Sequence, residues 1–263
     1  MDSKILFIDS RSGKTKRGIT GHEGAVTDLS FVGTSNSVIS CSWDQTTRLW
    51  NRKKLDEHLT LKHPSEVKAL TVSLKHGKGA SGSRDGMVKV FSLRSLKSIR
   101  NLQAHRSDIS GVAIIDEEKK IITASYDGTC KLWDLSSYDV EKTLLKQKRR
   151  IRSMVATKDG SSAIIGLQNG EIINVNISNT REKTRFSGHS DLVSALSLDP
   201  SGQHLASASW DRTIRIWSLD EGIVVAKGKI VTGIGSIAWS PDGANVYTAD
   251  LSGAVVSWTP SID

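Results

Sequence analysis

The chain has 263 residues, 37% of them apolar and 24% charged, which suffices for a buried core and excludes a disordered tail. Lys and Arg (36) exceed Asp and Glu (28), and the net charge of +8 admits acidic partners, RNA among them, without requiring one. No run approaches the roughly 18 apolar residues of a membrane span, and the stretch from Met1 to Phe7 is too short for a secretory signal.

Taken from the N-terminus, Lys4 to Ile8 and Lys16 to Thr20 read as two short strands. Val26 to Phe31 then alternates with period two, and Thr46 to Trp50 is rich in β-branched and aromatic residues. Asp85-Gly86, Asp127-Gly128 and Asn169-Gly170 are turn dipeptides. Val193 to Leu198 alternates again, Ser201-Gly202 turns, Thr213 to Trp217 repeats the β-branched run, and Pro241-Asp242-Gly243 marks another turn. No amphipathic stretch is long enough to demand a helix.

These elements recur. Arg48-Leu49-Trp50, Lys89-Val90-Phe91, Lys131-Leu132-Trp133, Asn174-Val175, Arg215-Ile216-Trp217 and Val256-Ser257-Trp258 end at 50, 91, 133, 175, 217 and 258, spacings of 41 or 42. A weaker copy, Leu6-Phe7-Ile8-Asp9, lies one period earlier. Four short strands in a unit of about 42 residues is the spacing of propeller blades. The expected fold is therefore all-β, a β-propeller of four-stranded antiparallel blades. It has six complete repeats (approximately 21–62, 63–104, 105–146, 147–188, 189–229 and 230–263) after a partial one (1–20), all in a single domain, 1–263.

A fixed quartet sits inside the units. His22, Ser40, Asp44 and Trp50 are spaced by 18, 4 and 6 residues, and the same offsets give His105, Thr123, Asp127, Trp133 and His189, Ser207, Asp211, Trp217. The second unit keeps His63, Ser81 and Asp85 but has Phe91 for the Trp. The fourth loses the set to Gln147, Ile165, Asn169 and Val175, and the sixth keeps Thr248 and Trp258. With Gly21-His22 and Gly188-His189 ahead of Trp43-Asp44 and Trp210-Asp211, the chain resembles the WD-repeat family of β-propellers along essentially its whole length. The resemblance implies that each quartet is a hydrogen-bond relay within one blade. Buried donors lacking partners cost roughly 1–3 kcal/mol each, and an indole, a hydroxyl, an imidazole and a carboxylate satisfy one another in series. Ser, His and Asp also build nucleophilic triads, but a triad is needed once and this set occurs three times complete. The expectation is a structural role, no catalytic residues and no enzyme activity.

Other motifs are weak. Gly13-Lys14-Thr15 lacks the first glycine of a phosphate-binding loop, since Ile8 stands there. No dense histidine cluster or C-x-x-C pair suggests a metal, and His58, His76 and His204 are scattered. No cofactor, metal or small-molecule substrate is expected. Asn176-Ile177-Ser178 matches a glycosylation sequon by coincidence of pattern. Trp133-Asp134 is not followed by the x-Arg found in many of the family's ubiquitin-ligase receptors. With only Cys41 and Cys130, no disulfide framework is possible, and a reducing compartment, cytoplasm or nucleus, is the default.

The resemblance also places contact residues at one end of the ring. The residues before the turn acid are Trp43, Arg84, Tyr126, Gln168, Trp210 and Leu251. Those three and five after the His are Ala25, Glu66, Asp108, Arg150, Leu192, Gly233 and Thr27, Lys68, Ser110, Arg152, Ser194, Gly235. Trp, Tyr and Arg dominate binding hot spots. The face made by Trp43, Tyr126 and Trp210 beside Arg84, Lys68, Asp108, Arg150 and Arg152 suits an acidic or phosphorylated peptide. A second feature is the basic run from Lys142 to Arg152, holding Lys142, Lys146, Lys148, Arg149, Arg150 and Arg152 in place of the fourth quartet's loop. It is a solvated charged loop or a contact for an acidic surface or RNA phosphate.

The ring opens in mid-unit and has two possible closures. Either Lys16 to Thr20 completes the last blade, or a seventh blade lacks its inner strands, which come from a partner or from further sequence. The function expected is a non-enzymatic scaffold holding partner proteins in a multi-subunit complex, with no membrane contact. The alternative is a component of an RNA–protein particle, ribosome-associated or ribosome-assembling, that uses the basic loops.

Overall fold

The computed structural model describes residues 3–33, 36–115 and 119–261, apart from the side chains of Glu57 and His58. Among the described residues there are twenty-five β-strands and no helix, so none is long and apolar enough to cross a membrane. Six blades form a six-bladed β-propeller around a central channel. The first blade runs from Val26–Phe31 through Ser37–Ser42 and Thr46–Asn51 to Asp56–Lys62. Each of the next four repeats this up-and-down antiparallel order, beginning at Val67–Ser73, Ile109–Ile115, Ile151–Ala156 and Val193–Leu198. The sixth has three strands, Ile234–Trp239, Val246–Asp250 and Val255–Trp258.

Alternating residues of each strand point to opposite faces of a blade, so both faces need cover. They find it in the next blade. Ile39 and Cys41 of blade one pack with Val67, Leu70 and Phe91 of blade two. Ala206 and Ile216 of blade five pack with Ile234, Ile237 and Val246 of blade six. Polar bonds cross the same seams: Thr27 Oγ1 donates to Val67 O (2.8 Å), and the Leu70 N–H donates to Asp28 Oδ2 (2.8 Å).

The inner strand of every blade carries a β-bulge near its start. The register shifts between Val26 and Asp28, Val67 and Ala69, Ile109 and Gly111, Ile151 and Ser153, Val193 and Ala195, and Ile234 and Ser236. The skipped residues are Thr27, Lys68, Ser110, Arg152, Ser194 and Gly235, and all six line the channel, a space of about 460 Å³. A bulge re-aims the side chain it carries. Here it turns one residue per blade toward the axis.

The tight turn after the second strand packs against the loop that leads into the next blade. Gly128 has φ +81, and a Cβ there would lie 2.2 Å from the Gln147 carbonyl oxygen. Gln45 and Arg212 hold the same turn position at φ 66 and 68, so the left-handed backbone alone does not demand glycine. The nearby carbonyl does. Gly128→Ala is expected to cost on the order of 3 kcal/mol in urea unfolding, and Arg212→Gly only tenths of that; equal effects would place the constraint in φ and not in space.

The partial repeat is a hairpin, Ile5–Ile8 with Thr15–Ile19, that pairs only with itself. Ile5 and Ile19 pack on Trp50 and Leu55 of blade one. The second strand of this hairpin therefore does not complete the last blade. Its short turn explains the preference: Asp9 accepts from the Arg11 and Ser12 N–H groups and pairs with Lys16 at 2.5 Å. A local pairing costs less loop entropy than one spanning the chain. The faces flanking the seam between blades six and one remain uncovered. Leu29 and Val255 are 46% and 52% exposed, whereas their counterparts Leu70 and Cys130 are 8% and 0% exposed.

Candidate functional site

The three complete quartets are continuous hydrogen-bond chains. In blade one Trp50 Nε1–H donates to Ser40 Oγ (2.8 Å), Ser40 meets His22 Nε2 (2.8 Å), and His22 Nδ1 meets Asp44 Oδ2 (2.7 Å). Blade three repeats this with Trp133, Thr123, His105 and Asp127 at 2.9, 2.8 and 3.1 Å. Blade five does so with Trp217, Ser207, His189 and Asp211 at 2.8, 2.7 and 2.9 Å. Partial burial raises the Asp211 carboxyl, but hydrogen bonds from Thr213 and His189 outweigh that and hold it at about 2. Burial also lowers the imidazoles of His105 and His189. A carboxylate beside a neutral imidazole fixes the direction: indole N–H to hydroxyl, hydroxyl to Nε2, Nδ1–H to carboxylate. Ser40, Thr123 and Ser207 are fully buried, and the indole already occupies the oxygen a substrate would have to reach.

Two further elements of the brace escape a reading of the quartet alone. Thr46, Thr129 and Thr213, two residues after the acid, donate to its Oδ1 at 2.6, 2.6 and 2.7 Å. A basic residue two before the aromatic position caps the carbonyl of the residue preceding the His: Lys89 on Lys62 O, Lys131 on Ala104 O and Arg215 on Gly188 O, at 2.8, 2.7 and 2.6 Å. Both signals were present as fixed offsets. Blade two lacks the threonine, having Met87, and the indole, having Phe91. Its His63 Nε2 meets Thr47 Oγ1 (3.0 Å) and, at longer range, Ser81 Oγ (3.4 Å), with Nδ1 buried and unpaired, while Asp85 bonds Ser83 Oγ. Blade four replaces the relay with apolar packing, Ile165 and Val175 being fully buried. In blade six Trp258 Nε1 still donates to Thr248 Oγ1 (3.0 Å).

The braced loops carry the rim. In all six blades the N–H of the residue before the turn acid position donates to the carbonyl of the third residue after the His position. These pairs are Trp43 to Ala25, Arg84 to Glu66, Tyr126 to Asp108, Gln168 to Arg150, Trp210 to Leu192 and Leu251 to Gly233, at 2.9–3.1 Å. Nine of the expected contact residues line one cleft of about 670 Å³: Trp43, Glu66, Lys68, Arg84, Asp108, Tyr126, Arg150, Arg152 and Trp210, together with Ser107. Gln168 and Leu251 are exposed and lie outside it. The cleft continues into the channel, which shares Trp43, Lys68, Tyr126 and Arg152. Tyr126 is its centre, with Arg152 Cζ, Lys68 Nζ and Arg150 Cζ at 4.6, 4.7 and 5.8 Å from the ring centroid.

The basic run is not one loop. Val140–Lys146 is the outer strand of blade three, buried through Leu144 and Leu145, and Ile151–Ala156 is the inner strand of blade four. Lys142 is anchored, its Nζ donating to Ile177 O at 2.8 Å. Arg150 and Arg152 belong to the cleft, which leaves Lys146, Lys148 and Arg149 exposed outside it. Both cysteines are free and buried, and no group of three or more His, Cys, Asp or Glu among the described residues is placed to hold a metal ion.

The family described as "WD domain, G-beta repeat" matches residues 13–51, 96–134 and 180–218. Each match ends one residue past the Trp of a complete quartet. The chain belongs to the WD-repeat β-propellers. Among curated relatives, the WD-repeat chain is 27% identical to periodic tryptophan protein 2 of Arabidopsis thaliana over 82% of its own length and 24% of that protein. It is 26% identical to nuclear distribution protein PAC1 of Arthroderma otae (84% and 55%). It is 24% identical to U3 small nucleolar RNA-associated protein 21 of Saccharomyces cerevisiae (97% and 26%). This WD-repeat chain thus spans between about a quarter and a little over half of these relatives.

Proposed function

We propose that this propeller is a non-enzymatic assembly platform of the cytoplasm or nucleus, holding a segment of a partner protein across the mouth of its channel within a multi-subunit complex. The observation that carries this is the convergence of nine rim residues from blades one to five into one cleft, with two tryptophans at its edge left 43% and 44% exposed. Large aromatics on a rigid support lose little entropy when a partner covers them. The polar quartet beneath is consumed in bracing, so the rim is the chemistry left facing outward.

Contact with RNA is less well supported. The relative named as U3 small nucleolar RNA-associated keeps it in view, but the basic run divides between a strand anchor, the cleft and three exposed residues. No aromatic in the cleft presents a ring free of its neighbours' charge except the two tryptophans, so a base-stacking platform is poorly built. Trp210→Ala is expected to weaken capture of the co-purifying partner by about thirtyfold, a hot-spot loss of about 2 kcal/mol, with unchanged thermal unfolding. A partner retained at full affinity overturns the assignment of the rim.

A further inference from the structure

The cleft contains four cations and two anions, and their pairing is unequal. Lys68 Nζ lies 2.5 Å from Asp108 Oδ2, and Arg84 Nη1 lies 3.1 Å from Glu66 Oε1. Arg150 and Arg152 have no hydrogen bond or ion pair from their guanidinium groups to any described residue. Arg152 Nε is buried with no acceptor. Both are instead stacked toward the Tyr126 ring, which orients them without neutralising them. The surplus is thus two positive charges on two adjacent, planar donor groups, in a recess between blades three and four that opens into the channel. A buried donor without an acceptor is a costly arrangement to keep, and a bound anion removes that cost.

We propose that the Arg150–Arg152 pair receives the phosphate monoester of a phosphorylated side chain in the partner segment, with apolar neighbours of that side chain resting on Trp43 and Trp210. This rests on the rim reading above and narrows it. A phosphate monoester carries close to two negative charges at pH 7 and three acceptor oxygens, which matches the charge surplus, and guanidinium forks bind such oxygens bidentately. A carboxylate has half the charge and leaves one arginine uncompensated. The paired Lys68 and Arg84 frame the recess without competing for the ligand, since each already has its carboxylate.

The test uses a fluorescein-labelled pentapeptide with a central phosphothreonine flanked by leucines, and the same peptide with threonine or glutamate at its centre. Binding is followed by anisotropy at physiological salt. The phosphothreonine peptide is expected to bind at least about tenfold tighter than the threonine form and several-fold tighter than the glutamate form. Its affinity should rise between pH 5 and pH 7 as the phosphate loses its second proton, whose pKa is about 6. In the Arg150→Gln/Arg152→Gln variant both the selectivity and the pH dependence should vanish, with the urea midpoint unchanged as proof of fold. Trp210→Ala should weaken all three peptides by a similar factor. Equal binding of the three peptides, or no binding of the phosphothreonine form, overturns the phosphate site. If Trp210→Ala still loses the co-purifying partner, the rim reading survives that failure; if neither variant alters any binding, both readings fall. Steeply salt-dependent retention of a single-stranded RNA oligonucleotide, lost in the double arginine variant and without peptide selectivity, overturns the proposal in favour of RNA.

Discussion

Replacing Asp211 by alanine is expected to destabilise the protein by about 3 kcal/mol, whereas the equivalent Asp85→Ala in blade two should cost only about 1 kcal/mol. Asp211 accepts four bonds: from His189 Nδ1 (2.9 Å), the Ser190 N–H (3.0 Å), the Thr213 N–H (2.8 Å) and Thr213 Oγ1 (2.7 Å). Its removal strands several donors at once, and His189 is nearly fully buried, so water cannot replace the carboxylate there. Asp85 accepts from Ser83 Oγ and the Met87 N–H but has no bond to His63. Its loss removes no hydrogen bond from the buried imidazole. Urea unfolding of the two variants decides the point. Equal losses, or no loss in Asp211→Ala, would show that the relay does not brace the blade. Trp210→Ala serves as the control, since it removes rim surface and no buried bond.

Acidification from pH 7 to pH 5 should destabilise the protein through its buried histidines, with His63 the largest contributor. Burial and the nearby Lys89 charge push the His63 imidazole down to about 4, against a weaker opposing pull from Asp85. A base with a depressed folded-state pKa binds fewer protons folded than unfolded, so stability falls as pH drops through the unfolded value near 6.5. For His63 the loss by pH 5 is about 2 kcal/mol. His105 and His189 act in the same direction, burial again leading. Asp28 works the other way. Burial raises its carboxyl to about 6 despite the bonds from the Leu70 and Leu29 N–H groups, so its protonation on acidification offsets about 1 kcal/mol. His63→Gln should therefore flatten the fall in stability between pH 7 and pH 5 by about 2 kcal/mol, and Asp28→Asn should steepen it. An unaltered slope in His63→Gln would mean that His63 titrates normally. The low pKa of Asp211 enters only below about pH 4, where protonation of that carboxyl removes the relay's acceptor.

Much of the architecture was legible because each blade is built mostly from its own residues. The 41- to 42-residue spacing marks the third strands, and Trp50, Trp133 and Trp217 each reach a hydroxyl ten residues earlier in the same sheet. His22, His105 and His189 find acids at a constant offset for the same reason. The rim positions came from the family resemblance, and one backbone bond per blade holds them in a common phase. The basic run was misread as a loop because its charge masked Leu144 and Leu145, whose burial makes the segment a strand.

The sequence by itself determined the repeat, the all-β blades and the four-residue relay of the three complete braces, and the family resemblance added the positions at the channel end. The tertiary structure alone decided three things: that Lys68 meets Asp108 forty residues away, that Arg150 and Arg152 are left without a carboxylate, and that the N-terminal hairpin stands beside blade one and does not join blade six. The reason is physical. Contacts inside a blade follow from fixed offsets along one chain segment, whereas charge pairing and closure depend on how separate blades stack and on where each inner-strand bulge turns its side chain.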